Sequence, residues 1–209
     1  KALKQYHDIS VRGLEHDSMY LYRVKLDLAD CYLALNQNKK AKKLAKKLLA
    51  LYSGKDLNNV FDLASTLRCL GYAEAKLGRL KSAENQLIQA EQMFSSLKAV
   101  AWSNQIKLIR AKIFMRMHNY QKALRLIKKV KSFFKTKEFF INLKESLLIE
   151  AGCYYKMGKY NDALKYCQDV LKAKETATIP QLHYEANVLA GRIKETSGFA
   201  SEAAEYYKA

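Results

Sequence analysis

The chain has 209 residues, 49% of them hydrophobic, with one proline, eight glycines and four cysteines. That apolar content excludes a disordered chain, and so little proline and glycine argues against strand-and-turn architectures. The formal net charge of +17 either points to an acidic partner, such as nucleic acid, an acidic peptide or a lipid surface, or serves solubility alone.

The opening residues, KALKQYHD, carry no initiator Met, apolar run or cleavage site. We therefore expect no signal peptide and a piece of a longer protein. Within residues 1–14, Ala2, Tyr6 and Ile9 match the second helix of a preceding repeat. Five units then follow, at approximately 18–53, 58–97, 101–135, 139–175 and 180–209. They align on Ala41, Ala83, Ala123, Ala163 and Ala203, at intervals of 42, 40, 40 and 40 residues. A second small column, twelve residues upstream, holds Ala29, Gly71, Ala111, Ala151 and Gly191. Between the two lies a turn column of Asn36, Gly78, His118, Gly158 and Gly198, residue types that suit a helix C-terminus needing a left-handed residue.

Each unit reads as helix, tight turn, helix. Ala41, Leu44, Ala45, Leu48 and Leu49 recur at helical spacing in the first unit, and Ala163, Tyr166, Cys167, Val170 and Leu171 do so in the fourth. Pro180 falls where the last unit's first helix should begin, a position that tolerates proline. One helix pair cannot bury its own apolar face, so neighbouring pairs must stack into an all-α solenoid. A single repeat domain over 1–209 is expected.

These columns resemble the tetratricopeptide repeat family. The match is clearest in LGYAEAKLGRLKSAENQLIQA (70–90) and AGCYYKMGKYNDALKYCQDV (151–170), and it covers nearly the whole chain. The resemblance implies a right-handed superhelix of stacked antiparallel helix pairs, about five repeats plus a leading helix. The period is about 40 rather than 34 residues, which implies longer helices or longer connections. The family's Trp column is occupied by Lys25, Leu67, Lys107, Leu147 and Asn187, and its terminal Pro is missing. Long-period versions are similar to kinesin light chains, bacterial peptide-sensing regulators and sensor arms of signalling ATPases.

The sequence offers no catalytic motif: no phosphate loop, GxSxG or HExxH is present. His7, His16, His118 and His183 are scattered, and Cys31, Cys69, Cys153 and Cys167 lack metal-ligand spacing. No enzyme, cofactor or metal site is expected, and the thiols should be reduced and mostly buried. No apolar run approaches the roughly 18 residues that cross a bilayer, so no membrane partner is expected. A cytoplasmic location follows, with a nuclear one as the alternative.

The resemblance implies that first helices line the concave face, where positions i, i+4 and i+8 point inward. They are Leu26, Asp30 and Ala34, then Arg68, Tyr72 and Lys76, then Leu108, Lys112 and Arg116. The last two sets are Leu148, Gly152 and Lys156, and Val188, Arg192 and Thr196. Lys76, Arg116 and Lys156 would form one basic ladder, thickened by Lys112 and Arg192, with Tyr72, Met115 and Tyr155 gripping apolar side chains between the charges and Arg68 a further partner-binding candidate. The expected function is a scaffold capturing an acidic or amphipathic segment of another protein, or of another domain of the same polypeptide. Nucleic acid held through phosphate contacts, or a purely architectural spacer, are the alternatives. Leu26 and Asp30 stand where one chaperone-clamping subtype needs Lys and Asn, which argues against that subtype. The runs KKAKKLAKK (39–47) and KALRLIKKVKSFFKTK (122–137) read either as solvated convex faces or as import signals or phosphate-binding strips. Phe133, Phe134, Phe139, Phe140 and Trp102 either fill wedges between repeats or, for the phenylalanines, stack nucleobases.

Overall fold

Residues with positive φ punctuate the chain. Among the described residues they are Asn36, Gly78, Lys98, His118, Glu138, Gly158 and Gly198, and the five from Gly78 to Gly158 fall at 20-residue intervals. The computed structural model describes residues 18–53, 59–172 and 179–208, so the helix expected within 1–14 lies outside the described residues. Ten helices are described: α1 (Ser18–Ala34), α2 (Asn38–Ser53), α3 (Val60–Lys76), α4 (Leu80–Ser96), α5 (Val100–Arg116), α6 (Tyr120–Thr136), α7 (Phe140–Lys156), α8 (Tyr160–Leu171), α9 (Pro180–Thr196) and α10 (Ala200–Lys208). No strand occurs among the described residues.

The turns explain the period. Each pairs a carbonyl near the helix end with an amide beyond it: Arg79 N–H donates to Glu74 at 2.9 Å and Gly78 N–H to Ala75 at 3.1 Å. This double bond pattern is the Schellman motif, in which a left-handed residue reverses the chain and satisfies the last carbonyls. It recurs at all seven positive-φ residues. Arg79 then serves as N-cap of the next helix, its carbonyl accepting from Ala83 at 3.0 Å. Seventeen helical residues and a three-residue turn make a half-repeat, so the long period comes from longer helices. Asn59 and Asn119 cap the starts of α3 and α6 through their side chains, and Pro180 occupies the first turn of α9.

Contacts divide the chain within α5 into two units, one ending at Ile106 and one beginning at Lys107. In the first, α1 and α2 pack on each other through Ala29, Leu33, Ala41, Ala45 and Leu48, with α3 closing the cluster through Cys69, Leu70 and Ala73. Trp102 stacks on Phe94 at 5.7 Å and meets the edge of Phe61 at 5.6 Å, joining three successive helices. In the second unit, Ala123, Ile127, Val130 and Phe134 of α6 are all 0–1% exposed against α5 and α7. The stripe recurs one repeat on, in Ala163, Cys167 and Val170 of α8, each at 0%. Every fully buried Leu, Ile or Phe contributes about 1.5–3 kcal/mol through the area it removes from water.

The small column is a packing necessity at Gly71. A Cβ added there would lie 2.7 Å from Leu87 Cγ and 3.2 Å from the Ala83 carbonyl oxygen. Alanine would gain about 1 kcal/mol of helix propensity, while overpacking costs about 1–3 kcal/mol. Gly71→Ala should therefore destabilise by about 1 kcal/mol in urea unfolding. The opposite effect is expected at Glu138, whose φ is 57°. A side chain in the left-handed region costs about 1–2 kcal/mol, partly offset by glycine's freedom in the unfolded chain. Glu138→Gly should raise the melting temperature by about 1–3 °C, and an unchanged or lower value would contradict the turn geometry.

Candidate functional site

The candidate residues sit on the first helices of the repeats, α3, α5, α7 and α9, at 3.6-residue spacing. In the first unit, Arg68 is turned into the fold. Its Nη2 donates to Asp30 Oδ2 of α1 at 2.5 Å, only 15% of its side chain is exposed, and its guanidinium lies 5.6 Å from the Trp102 ring centroid. Arg23 makes the parallel contact to Asp62 at 3.2 Å. Arg68 thus ties adjacent repeats together. Tyr72 is half-buried, and the exposed Lys76 reaches back over its ring, with Nζ 5.5 Å from the centroid.

In the second unit, Lys112 donates to Glu145 Oε1 of α7 at 3.2 Å. Met115 packs over Gly152, its sulfur 2.8 Å from where a Cβ would sit. Tyr155 shares a 3.2 Å hydrogen bond with the Thr196 hydroxyl of α9, and Lys156 Nζ lies 5.4 Å from the Tyr155 ring centroid. Arg116, Lys156 and Arg192 are exposed. In the second unit Lys112, Met115, Arg116, Tyr155, Lys156 and Arg192 thus lie on three successive first helices, α5, α7 and α9.

Sequence reasoning missed the partners. Asp30 stood among the inward positions without being read as the counter-ion of Arg68, although the two are 38 residues apart, close to one repeat. Thr196 also stood among the inward positions, 41 residues from Tyr155, whereas Glu145, 33 residues from Lys112, falls outside the repeat spacing and had no signal. The two basic runs read from the sequence, 39–47 and 122–137, fall on α2 and α6. Four of the five first helices are internally neutral, α5 alone carrying four cations and no acid. By contrast α2 carries six lysines and no acid, and α6 five lysines, one arginine and no acid, together twelve of the net +17.

Some of those lysines are engaged. Lys42 of α2 lies 2.8 Å from Glu74 of α3, whose other oxygen accepts from the Ser82 hydroxyl. Lys40 sits 5.5 Å from the Tyr32 ring centroid. Burial alone would push the Glu74 carboxyl up, but its contacts with Lys42 and Ser82 and the charge of Lys46 outweigh burial and hold it below its ordinary value. Burial pushes the thiols of Cys69, Cys153 and Cys167 up to about 12, with the Asp30 charge adding at Cys69 and Glu150 at Cys153. Such thiols are poor nucleophiles. His118 and His183 are held locally, to the Tyr120 hydroxyl at 2.9 Å and to Asn187 at 3.1 Å, while His7 and His16 lie outside the described residues. No described helix is long and apolar enough to cross a membrane.

Helix pairs in register, a turn column of left-handed residues and a facing row of small residues define the chain as a tetratricopeptide-like helical-repeat fold, and solved structures bear this out. A Rap protein complexed with Competence and Sporulation Factor matches with a TM-score of 0.85 at 14% identity, over 98% of this chain and 56% of that one. The Rap conjugation gene regulator of the plasmid pLS20, in complex with the Phr* peptide, gives 0.81 at 15% identity, over 95% and 55%. A signal transduction ATPase with a tetratricopeptide repeat sensor, from Pyrococcus horikoshii, gives 0.75 at 16% identity, over 97% and 31%. This chain therefore spans little more than half the length of the two Rap structures. No protein-family model and no curated protein matches the sequence.

The Glu74 pair yields a pH prediction. A carboxyl depressed in the folded state stabilises above its unfolded pKa, near 4.3, and loses that contribution as pH falls through the lower folded value. Glu74→Gln should cost about 1–3 kcal/mol at neutral pH, because Lys42 is left buried beside a neutral amide. The gap between wild type and variant in urea unfolding should close as pH is lowered from about 6 to 3. A gap independent of pH would show that the carboxylate charge contributes nothing.

Proposed function

We propose that the chain is a protein-interaction module whose second unit takes up an acidic or amphipathic segment along the first-helix face of α5, α7 and α9. The observation that carries this reading is the alternation of cations with a thioether and a phenol on successive first helices. Met115 and Tyr155 are supported from below, by Gly152 and Thr196 respectively. Arg116, Lys156 and Arg192 stand exposed beside them. Arginine offers a carboxylate paired donors, lysine a mobile point charge, and a ring held by a neighbouring helix loses little entropy on contact. The pLS20 Rap regulator, which shares the fold, was solved with the Phr* peptide. Tyr72 and Lys76 offer the same pairing separately in the first unit. The segment bound belongs to another protein or to another domain of the same polypeptide, and the module has a regulatory rather than a catalytic role.

The test uses a panel of acidic amphipathic peptides, screened by fluorescence anisotropy, and the triple variant Arg116→Glu, Lys156→Glu, Arg192→Glu. These side chains are exposed, so the helical circular dichroism should be unchanged. Affinity for peptides that bind the wild type should fall about tenfold or more. Undiminished binding by a folded variant would reject this face.

A further inference from the structure

The excess positive charge of the second unit is concentrated away from that face, on the solvent side of α6. The apolar stripe of this helix is used up in the core, with Ala123, Ile127, Val130 and Phe134 at 0–1% exposure. Its exposed positions hold only lysine, arginine, glutamine, serine and threonine, with neither an acid nor an apolar residue. The next outer helix, α8, exposes Asp162, Lys165 and Asp169, an ordinary mixture. Solvation alone does not require such one-sidedness, since like charges three and four residues apart destabilise a helix.

Shape accompanies charge. A shallow depression of about 590 Å³ lies beside α6, lined by Leu124 as well as by Arg125, Lys128, Lys131, Ser132 and Lys135, with Tyr154 of α7. The acid at its edge, Glu150, is taken by Lys131 at 2.6 Å, and that ammonium also lies 5.3 Å from the Tyr166 ring centroid. Arg125, Lys128, Ser132 and Lys135 fall within one stripe of the helix, spread over about 15 Å at 1.5 Å per residue. That span is long enough to face more than one phosphate of a single strand.

The surroundings discriminate among polyanions. A protein partner draws its affinity from anchors seated in unfilled apolar pockets, and none of the exposed large hydrophobic side chains lies on α6. A membrane would need the apolar stripe that the core already holds. On α6 itself no ring is offered for base stacking: Phe133 stacks on Phe139 at 5.9 Å and Phe134 is buried, while the exposed Phe139 and Phe140 lie beyond the helix end. The cations that α6 exposes suit a uniformly charged backbone that releases counterions on contact.

We propose that the solvent face of α6 is a sequence-independent nucleic-acid site, on which Arg125, Lys128 and Lys135, with the Ser132 hydroxyl between them, contact successive phosphates. It is separate from the peptide-binding face and does not depend on it.

The experiment measures anisotropy of fluorescein-labelled mixed-sequence duplex and single-stranded oligonucleotides, about 20 nucleotides long, between about 50 and 200 mM salt. Wild type should bind in the micromolar range at low salt and weaken steeply as salt rises. Arg125→Gln, Lys128→Gln, Lys135→Gln should lose about tenfold at low salt and reduce the salt slope by about 1 per lost contact. The same change in net charge made by Arg116→Gln, Lys156→Gln, Arg192→Gln should leave affinity within about twofold. The site is rejected if wild type does not bind, if the two triple variants weaken binding equally, or if poly-glutamate of matched charge competes as well as the duplex. The last outcome would assign the stripe to an acidic protein segment instead. Binding by anionic lipid vesicles equal to that by the duplex would also overturn it. Peptide binding measured on the same variants keeps the two faces distinguishable.

Discussion

Closure of the three-residue turn is the constraint on which the rest depends. Seventeen helical residues span about 25 Å, and the chain must reverse after each such run with no carbonyl left stranded. A left-handed residue achieves this at seven places, five of them exactly spaced by the half-repeat. The residue three positions after each such helix end closes the old helix through its N–H and, at Arg79, opens the new one through its C=O. Because no slack is left in the connection, equivalent side chains return to equivalent environments. Ala83, Ala123 and Ala163 are all fully buried, as are Leu87, Ile127 and Cys167. A longer or looser turn would let one hairpin rotate against the next and would break those rows.

Within that frame, chemistry is interchangeable where geometry is not. One slot pairs a residue near the end of a first helix with the residue eight positions on, across the turn. It is filled by Tyr32 under Lys40, by Glu74 accepting from Ser82, by Phe114 under Lys122, and by Lys194 bound to Glu202 at 2.6 Å. A cation on a ring, a hydrogen bond and an ion pair each contribute on the order of 1 kcal/mol at such half-exposed sites. They satisfy the same need, so the position carries no recognisable residue type from repeat to repeat.

The same logic explains what the sequence made legible. Small-residue and turn columns could be read because sterics admit few residues there: Gly71 has Leu87 against it, and Gly158 stands at a φ of 76°. The second set of turns was hidden, because Lys98 and Glu138 hold the left-handed conformation without being glycine or asparagine. They are recognisable only as the midpoints between turns 40 residues apart. For the candidate site, the ladder of Lys76, Arg116 and Lys156 was visible, but its position has a structural meaning too. Each is the last residue of its helix, where a cation meets the negative end of the helix dipole and gains about 0.3–1 kcal/mol. Arg68 was visible as a charge, but its engagement with Asp30 depends on a helix 38 residues earlier.

Charge placement therefore separates cations engaged within the fold from those that stand exposed. Ion pairs between neighbouring first helices use Arg23, Arg68 and Lys112, and the pair from α6 to α7 uses Lys131. Where a helix supplies its own counter-charge or borrows one from the next repeat, its cations are explained by the fold. The α5, α7 and α9 face retains few exposed cations set among supported side chains, a pattern suited to recognising shape with modest charge. The outer face of α6 retains many and offers them no acid, and repulsion along such a helix persists at physiological salt, where charges within about 8 Å are still felt. Its buried stripe holds the helix folded against that repulsion. An anion laid along the stripe would relieve it, so the same residues that strain the isolated helix are those that a phosphate backbone would neutralise.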